Sequence, residues 1–337
     1  MFITLTLNPA VDHTFMVAGA LALNQLHTIR AETTTPGGKG VNVAKLLAVN
    51  DRPVVVAGLM GEDRLAFYRD TLLASGITCR FLPLPHATRV NLMCSDGQGH
   101  EMKFNRPGFP DLAFDEPTLL AYARSLATPG SVIILSGSLP VRFPPTTYAL
   151  LVRLFRDAGC PTVVDTSGAA LSAALAEKPC IIKPNRQELA SVLGESLETG
   201  AALQDALHRL MPCHEVIIVS DGAQGAWFAG QDKIWFAAAP AVRCVDTTGA
   251  GDSLLGQFCA GYFPDRQLTP ELMARSVAAG AAAVEQLGSP FITLARIHEL
   301  AQQVHPTCMR DFTTNLRNGR NPEKIFEQKL AKIAQKK

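Results

Sequence analysis

Several signals are absent from this 337-residue sequence, and each absence excludes a class of protein. No uncharged apolar stretch approaches the ~20 residues that cross a bilayer, and the N-terminus lacks the basic region and cleavage site of a secretory signal. The net charge of +1 argues against nucleic acid or a membrane surface as the main partner. The eight cysteines form no CxxC pair and lie mostly in apolar runs, which is typical of reduced core residues. These absences predict a cytoplasmic protein without a membrane or nucleic-acid partner.

A regular alternation of strand-like and helix-like patterns begins near residue 131. Apolar runs such as VIILSG and TVVD are each followed by a helical pattern, which predicts an α/β fold with a parallel, doubly wound sheet. Right-handed crossovers would bring the carboxyl ends of these strands to one edge of the sheet. We therefore expect the polar residues at these ends to converge there: Ser136, Ser138, Asp165, Lys183, Asn185, Ser220 and Asp221.

Residues 245–263, VDTTGAGDSLLGQFCAGYF, place a glycine turn and a carboxylate directly before a helical apolar pattern. Gly249 and Gly251 lack a Cβ atom, so backbone N–H groups there can approach a ligand closely. The N-terminus of the helix opens onto the same turn and favours phosphate oxygens. Asp252 would repel a phosphate unless it faces the incoming nucleophile, so it is a candidate general base for a hydroxyl that attacks a γ-phosphate.

A simpler interpretation of this stretch is that Thr247, Thr248 and Asp252 only cap a helix. Two other phosphate motifs are excluded by inspection. The glycines of the turn do not fit GxGxxG because residue 254 is leucine, and no segment fits GxxxxGK[ST]. The absence of GxGxxG after the first strand also argues against a nicotinamide oxidoreductase.

The run DTTGAGD before a helix resembles the C-terminal signature of the ribokinase-like (PfkB) sugar-kinase family. The segments NPAVD at residues 8–12 and GGKGVN at 37–42 resemble further motifs of this family, so the resemblance extends to about residue 300. It implies a kinase domain over residues 1–304 with a doubly wound, mainly parallel sheet flanked by helices. It also implies a small β-sheet lid, from about residues 12–35 and 88–105, that covers the sugar and joins two subunits in a homodimer.

The same resemblance implies roles for individual residues. Those implied to hold sugar hydroxyls are Asp12, Gly38 and Asn42. Those implied to hold a phosphate already on the sugar are Arg89, Lys39 and Ser138. Those implied to act in catalysis are Asp252, as the general base, and Gly249, Ala250 and Gly251, whose N–H groups would form an anion hole. The residues alone also allow Asp12 to be a turn aspartate and Arg89 to be a solvated strand residue.

The run TRVN around Arg89 resembles the 1-phosphofructokinase and tagatose-phosphate kinase branch of the family. Lys103 and Arg106 add positive charge to the proposed lid, which a neutral sugar would not require. Met93 departs from this branch because lysine usually stands at its position.

For the second substrate, the resemblance implies ATP with Mg²⁺ and leaves open whether potassium takes part. The residues implied to border the nucleotide are Lys183, Asn185, Glu188, Ser220, Gly222 and Gly225. Glu188 is further implied to act on Mg²⁺ through metal-bound waters, since this ion keeps much of its hydration. The spacing of Asn185 and Glu188 also fits a helix capping box, and the glycines of SDGAQGAW also fit a hairpin.

Residues 305–337 differ in composition, with eight basic and three acidic residues. Asn321 as N-cap, Pro322 as the first helical residue and apolar residues at 326, 330 and 333 predict a short amphipathic helix. This basic extension lies beyond the family pattern. We expect it to contact the body of the protein or a second subunit rather than nucleic acid.

Together these features predict ATP-dependent phosphorylation of a ketohexose phosphate, of the fructose 1-phosphate or tagatose phosphate type, to the bisphosphate. One alternative is a kinase of an unphosphorylated sugar or nucleoside. Another, from a different class, is a non-catalytic sugar-phosphate sensor or scaffold. The intact Asp252 and glycine turn argue against the sensor.

Overall fold

The computed structural model of the protein describes residues 1–98, 100–289 and 291–313. The helix predicted around Pro322 lies outside the described residues. Strands within the described ranges form one large sheet and one small sheet. The strands of the large sheet are β1 (Phe2–Thr6), β4 (Val54–Gly61), β5 (Thr78–Leu84), β8 (Val132–Ser136), β9 (Thr162–Asp165), β10 (Ile181–Ile182), β11 (Val216–Ser220), β12 (Gly225–Gly230), β13 (Lys233–Ala238) and β14 (Thr307–Asp311). Those of the small sheet are β2 (Ala10–Val17), β3 (Ile29–Gly37), β6 (Arg89–Ser95) and β7 (Glu101–Phe104).

The large sheet is mainly parallel. Its strands lie in the order β14-β13-β12-β11-β10-β9-β8-β1-β4-β5, and the pairs from β11 to β5 all run parallel. The last three strands add to it in antiparallel pairs. Gln231 and Asp232, with φ of +52° and +59°, form the tight turn between β12 and β13.

Helices cover both faces of this sheet. They are α1 (Lys39–Val49), α2 (Leu65–Leu73), α3 (Glu116–Leu126), α4 (Thr147–Asp157), α5 (Gly168–Leu175), α6 (Arg186–Leu193), α7 (Gly200–Leu210), α8 (Ala250–Tyr262), α9 (Pro270–Val284) and α10 (Leu294–Ala301). Helices α3 to α7 pack on one face, and α1, α2, α8 and α9 pack on the other. In β8, Val132 and Ile134 join the second core while Ile133 and Leu135 join the first, because successive side chains of a strand point to opposite faces. The predicted doubly wound α/β class is confirmed.

No helix within the described ranges is both long enough and apolar enough to cross a membrane.

The small sheet has the order β3-β2-β6-β7 and is separate from the large one. Strand β2 pairs antiparallel with β3 and parallel with β6, so two segments that are distant in sequence meet side by side. This arrangement confirms the predicted small sheet, with strands that begin at Ala10 rather than at residue 12.

One part of the predicted C-terminal extension belongs to the large sheet. The sequence places the end of the kinase domain at residue 304, whereas β14 pairs with β13 beyond that point and Arg310 contacts Asp205 of α7 at 2.6 Å. Cys308 on this strand is exposed, so it departs from the expectation that the cysteines are core residues. The strand protects β13, which would otherwise be an open edge.

Candidate active site

A cavity of about 490 Å³ opens where the carboxyl ends of the parallel strands meet the small sheet. Most residues that the sequence predicts to bind a ligand line it: Asp12, Gly38, Lys39, Asn42, Arg89, Ser138, Lys183, Asn185, Glu188, Ser220, Gly249, Gly251 and Asp252. Ala250, Gly222 and Gly225 are not among its lining residues. The convergence follows from the parallel sheet, in which all strand carboxyl ends share one edge.

Asp252 lies in the first turn of α8, directly after the glycine turn. Gly249 precedes the helix with φ of +77°, a left-handed conformation that favours glycine, and a Cβ atom there would lie 2.5 Å from Ser289 Oγ. Asp252 is only 6% exposed, and its Oδ2 accepts a hydrogen bond from Asn42 Nδ2 at 2.9 Å. Burial raises the pKa of Asp252. A carboxylate with a raised pKa at a cavity wall is suited to accept a proton from a substrate.

Two lysines share one buried carboxylate beside this turn. Lys39 Nζ lies 3.0 Å from Asp165 Oδ1, and Lys183 Nζ lies 3.3 Å from Asp165 Oδ2. Burial favours a higher pKa for Asp165, but the two ammonium groups outweigh it and lower this pKa. Burial favours a lower pKa for Lys39, but the carboxylates of Asp165 and Asp252 outweigh it and raise this pKa. A Cβ atom on Gly251 would lie 3.2 Å from Lys183 Nζ, so this ammonium group lies against the glycine turn. The Lys183 ammonium group therefore lies at the turn, where it is paired with the Asp165 carboxylate.

Asp12 lies in β2 and also lines the cavity. Its Oδ1 accepts a hydrogen bond from Asn91 Nδ2 at 3.0 Å, and a Cβ atom on Gly37 would lie 2.1 Å from its Oδ2. Burial raises the pKa of Asp12 to about 6, against the hydrogen bond from Asn91. Nearby, Ser138 Oγ accepts a hydrogen bond from Asn8 Nδ2 at 3.0 Å. These contacts hold both side chains in defined orientations.

Arg89 is anchored by the protein backbone. Its guanidinium donates hydrogen bonds to the carbonyl groups of Asn8, Pro9 and Arg106 at 2.9, 3.2 and 2.7 Å. These bonds use three of the five N–H donors of an arginine. Arg106 accepts one of these bonds through its backbone carbonyl group, and the residue is exposed. It is not among the residues that line the cavity, so it does not extend the predicted basic cluster there.

Asn185 and Glu188 form the capping box that the sequence allows. Glu188 N–H donates to Asn185 Oδ1 at 2.7 Å, and Asn185 N–H donates to Glu188 Oε2 at 2.8 Å. Both residues also line the cavity. Gly222 and Gly225 instead serve the turn between β11 and β12: Gly222 has φ of +57°, and a Cβ atom on Gly225 would lie 2.0 Å from the Ala237 carbonyl oxygen.

The small sheet is hydrogen-bonded to the segment that leads into the glycine turn. The Thr247 hydroxyl donates to Glu101 Oε1 at 2.5 Å and accepts from Lys103 Nζ at 2.6 Å. Ser95 Oγ donates to the Val245 carbonyl at 2.6 Å. The position of the turn therefore depends on the small sheet as well as on α8.

Some residues of the site are missed from sequence. Asp165 is visible only as a polar strand end, and Asn91 only as part of the run TRVN. Lys45 leaves no signal, since it falls within an ordinary helical pattern, yet the fold buries it directly behind Asn42.

The sequence pattern of the pfkB family carbohydrate kinases matches residues 5–293. The chain belongs to the PfkB family. Two relatives of this PfkB kinase are 1-phosphofructokinases. The relative from Vibrio cholerae is 30% identical over 308 residues, covering 91% of this chain and 96% of the relative. The relative from Haloferax volcanii is 35% identical over 263 residues, covering 77% of this chain and 83% of the relative.

A solved PfkB structure supports the same assignment. Phosphofructokinase-2 from Escherichia coli, in complex with substrates and products, superposes with a TM-score of 0.81 at 25% identity, covering 90% of this chain and 98% of that one. The same enzyme has been solved in complex with potassium, with a TM-score of 0.80. The predicted family, the ribokinase-like fold and the enzyme class, a sugar-phosphate kinase, are confirmed.

Proposed function

We propose that this PfkB kinase transfers the γ-phosphoryl group of MgATP to a hydroxyl of a ketohexose phosphate, of the fructose 1-phosphate or tagatose phosphate type, to give the bisphosphate. The observation that carries the proposal is that one cavity contains Asp252, Lys39 and Arg89 together with the glycine turn. The 1-phosphofructokinase relatives support the sugar-phosphate class.

In this proposal, Asp252 takes the proton of the attacking hydroxyl. Asn42 holds the Asp252 carboxylate in position by donating a hydrogen bond to it. The N–H groups of Gly249, Ala250 and Gly251 meet the charge that develops on the transferred group. Lys183, which lies against the turn, adds a positive charge there. The step therefore depends on orientation and electrostatics.

The sugar end of the cavity would hold the acceptor in a fixed pose. Asp12 accepts hydrogen bonds from sugar hydroxyls, beside Gly38 and Asn42. The two N–H donors that Arg89 does not use on the backbone are left for the phosphate of the substrate, next to Ser138.

Lys103 strengthens the case for a phosphorylated substrate. In the register of the small sheet it is the direct partner of Met93, the residue that departs from the family branch. Both residues line the cavity. Lys103, whose ammonium group also pairs with Glu101 at 3.2 Å, therefore stands at the wall where the branch usually carries lysine.

The nucleotide end would use Lys183, Asn185 and Ser220, together with Gly222 and Gly225 in the turn that follows Ser220. Within the described ranges, no group of three or more His, Cys, Asp or Glu side chains is arranged to hold a metal. The Glu188 carboxylate, which lines the cavity beside Asn185, fits a Mg²⁺ that is held through waters and phosphate oxygens. Mg²⁺ bound there would neutralise charge on the ATP phosphates.

We also propose that the small sheet joins two copies in a homodimer. Large apolar side chains are exposed on its strands, at Ile29, Leu92 and Phe104, and in the connection from β2 to β3, at Leu23 and Leu26. Exposed apolar side chains that form a patch are typical of a protein interface. Light scattering should show a dimer that Leu26→Asp weakens, and a monomeric wild type would contradict the proposal.

A coupled assay tests the function directly. The panel contains fructose 1-phosphate, fructose 6-phosphate, tagatose phosphates, fructose and adenosine, each with MgATP and with or without potassium. Turnover of a ketohexose phosphate is expected. Turnover of fructose or adenosine alone would select the kinase of an unphosphorylated substrate, and binding of hexose phosphates without transfer would select the sensor.

The role of Asp252 is tested by Asp252→Asn, which keeps the shape and removes the base. We expect kcat to fall by roughly 10²–10⁴. Asp70→Asn makes the same change at an exposed position of α2 and is expected to leave kcat unchanged. Undiminished turnover of Asp252→Asn would rule out the general base.

A further inference from the structure

Lys45 is a buried charged residue that the proposed mechanism does not use. It lies in α1, one turn after Asn42, and is 2% exposed. Its ammonium group donates hydrogen bonds to the Pro36 carbonyl at 3.1 Å, Asn42 Oδ1 at 3.3 Å and the Ser289 carbonyl at 2.7 Å. Three donors thus meet three acceptors, so the group is fully hydrogen-bonded in the interior.

The contact with Asn42 determines how that side chain is oriented. Because its Oδ1 accepts from Lys45, its Nδ2 is directed towards Asp252 Oδ2, 2.9 Å away. The flipped amide would place N–H donors against the ammonium group and an oxygen against the carboxylate, and both contacts would be repulsive. The ammonium group therefore selects the orientation in which Asn42 supports Asp252.

The contact with Ser289 reaches the anion hole. A Cβ atom on Gly249 would lie 2.5 Å from Ser289 Oγ, so the Ser289 turn lies directly against the glycine turn. The contact with Pro36 reaches the end of β3, beside the segment that carries Gly38 and Lys39. One side chain thus joins three segments that meet around the cavity.

Lys45 also balances negative charge. The carboxylates of Asp12 and Asp252 carry the opposite charge near the Lys45 ammonium group. Burial lowers the pKa of Lys45 to about 8, and the two carboxylates oppose this decrease. Besides Lys45, the charged groups that interact with Asp252 include Lys39, Asp165, Lys183 and Asp12. Lys45 carries its charge at neutral pH, so its removal would make ionisation of Asp252 harder.

We propose that Lys45 is a positioning residue of this kinase, whose ammonium group holds the Asn42 amide against Asp252 and fixes the Ser289 turn behind the anion hole. The inference rests on the proposed role of Asp252 as the base. Lys45 acts through its neighbours and is not assigned a contact with substrate.

The test compares the pH dependence of kcat in three variants. Lys45→Met removes the charge and the hydrogen bonds, Lys45→Gln removes the charge but keeps two N–H donors, and Lys45→Arg keeps the charge. We expect the acid limb of Lys45→Met and Lys45→Gln to move to higher pH by about one unit, so that kcat on that limb falls about tenfold. Lys45→Arg should recover most of this loss, and the KM for ATP should change little.

Several outcomes would overturn the proposal. A neutral variant with normal circular dichroism and thermal stability, but with an unmoved acid limb, would assign Lys45 a structural role only. If Lys45→Met and Lys45→Gln both fail to fold, Lys45 would likewise be assigned a structural role only. Asp252→Asn measured alongside separates the two claims, because full activity of that variant would reject the base itself rather than the role of Lys45.

Discussion

Replacing Gly249 with alanine tests whether the glycine turn holds the transferred group. The residue has φ of +77°, which costs an L-residue roughly 1–2 kcal/mol. The new Cβ would also lie 2.5 Å from Ser289 Oγ and 3.7 Å from Asn42 Nδ2, so the turn has to move. A displacement of about 1 Å at a reacting group lowers rates by about 10²-fold. We therefore expect kcat to fall about 100-fold and the free energy of unfolding to fall by about 1–3 kcal/mol.

Gly130→Ala is the matched control for this change. Gly130 has φ of +79°, but an added Cβ would meet nothing within 4 Å, and the residue does not line the cavity. It should lose about 1–2 kcal/mol of stability in urea denaturation and keep the kcat of the wild type in the coupled assay. If Gly249→Ala also keeps that kcat, the turn does not contribute to transfer and the reasoning is refuted.

Three further predictions follow from individual contacts. Thr247→Val removes the hydroxyl that joins the small sheet to the turn segment. The KM for the sugar should therefore rise about fivefold while the KM for ATP stays unchanged. An equal rise in both KM values would contradict this. Burial raises the pKa of Asp12 to about 6, so the KM for the sugar should rise as the pH falls below about 6, and Asp12→Asn should abolish that dependence. Burial lowers the pKa of His214 from 6.5 to about 4, so the unfolded chain binds the proton first and stability falls as the pH drops through that interval. Urea denaturation at pH 7 and 4.5 should show this loss, up to roughly 3 kcal/mol, reduced in His214→Gln; an equal loss in both proteins would contradict it.

Local patterns predicted the elements with strong apolar periodicity. Strands β8, β9 and β11 are short buried runs, and α8 follows a glycine turn, so neighbouring residues carry enough information. Strand β14 left no such signal. Its residues are mostly exposed and polar, and pairing with β13 alone makes Thr307–Asp311 a strand.

Two glycines show where a local pattern is ambiguous. From sequence, Gly222 and Gly225 fit both a loop that borders the nucleotide and a hairpin, because both need a chain that turns sharply. The structure shows the hairpin, in which a Cβ atom on Gly225 would lie 2.0 Å from the Ala237 carbonyl oxygen, and the nucleotide contact stays a prediction. Asn185 and Glu188 fit both a capping box and a ligand site from sequence; the structure shows the capping box, and the capped helix starts at the cavity wall.

The sequence by itself determined the family, the fold class and the chemical groups available for phosphoryl transfer, because these depend on short motifs and on the spacing of apolar residues. Only the tertiary structure decided which groups act on one another. Lys39 meets Asp165 across 126 residues, and Asn42 meets Asp252 across 210. Lys45 looks like an ordinary helix residue until packing buries it behind Asn42. The physical reason is that burial, charge pairing and the resulting pKa shifts arise between segments that only the folded chain brings into contact.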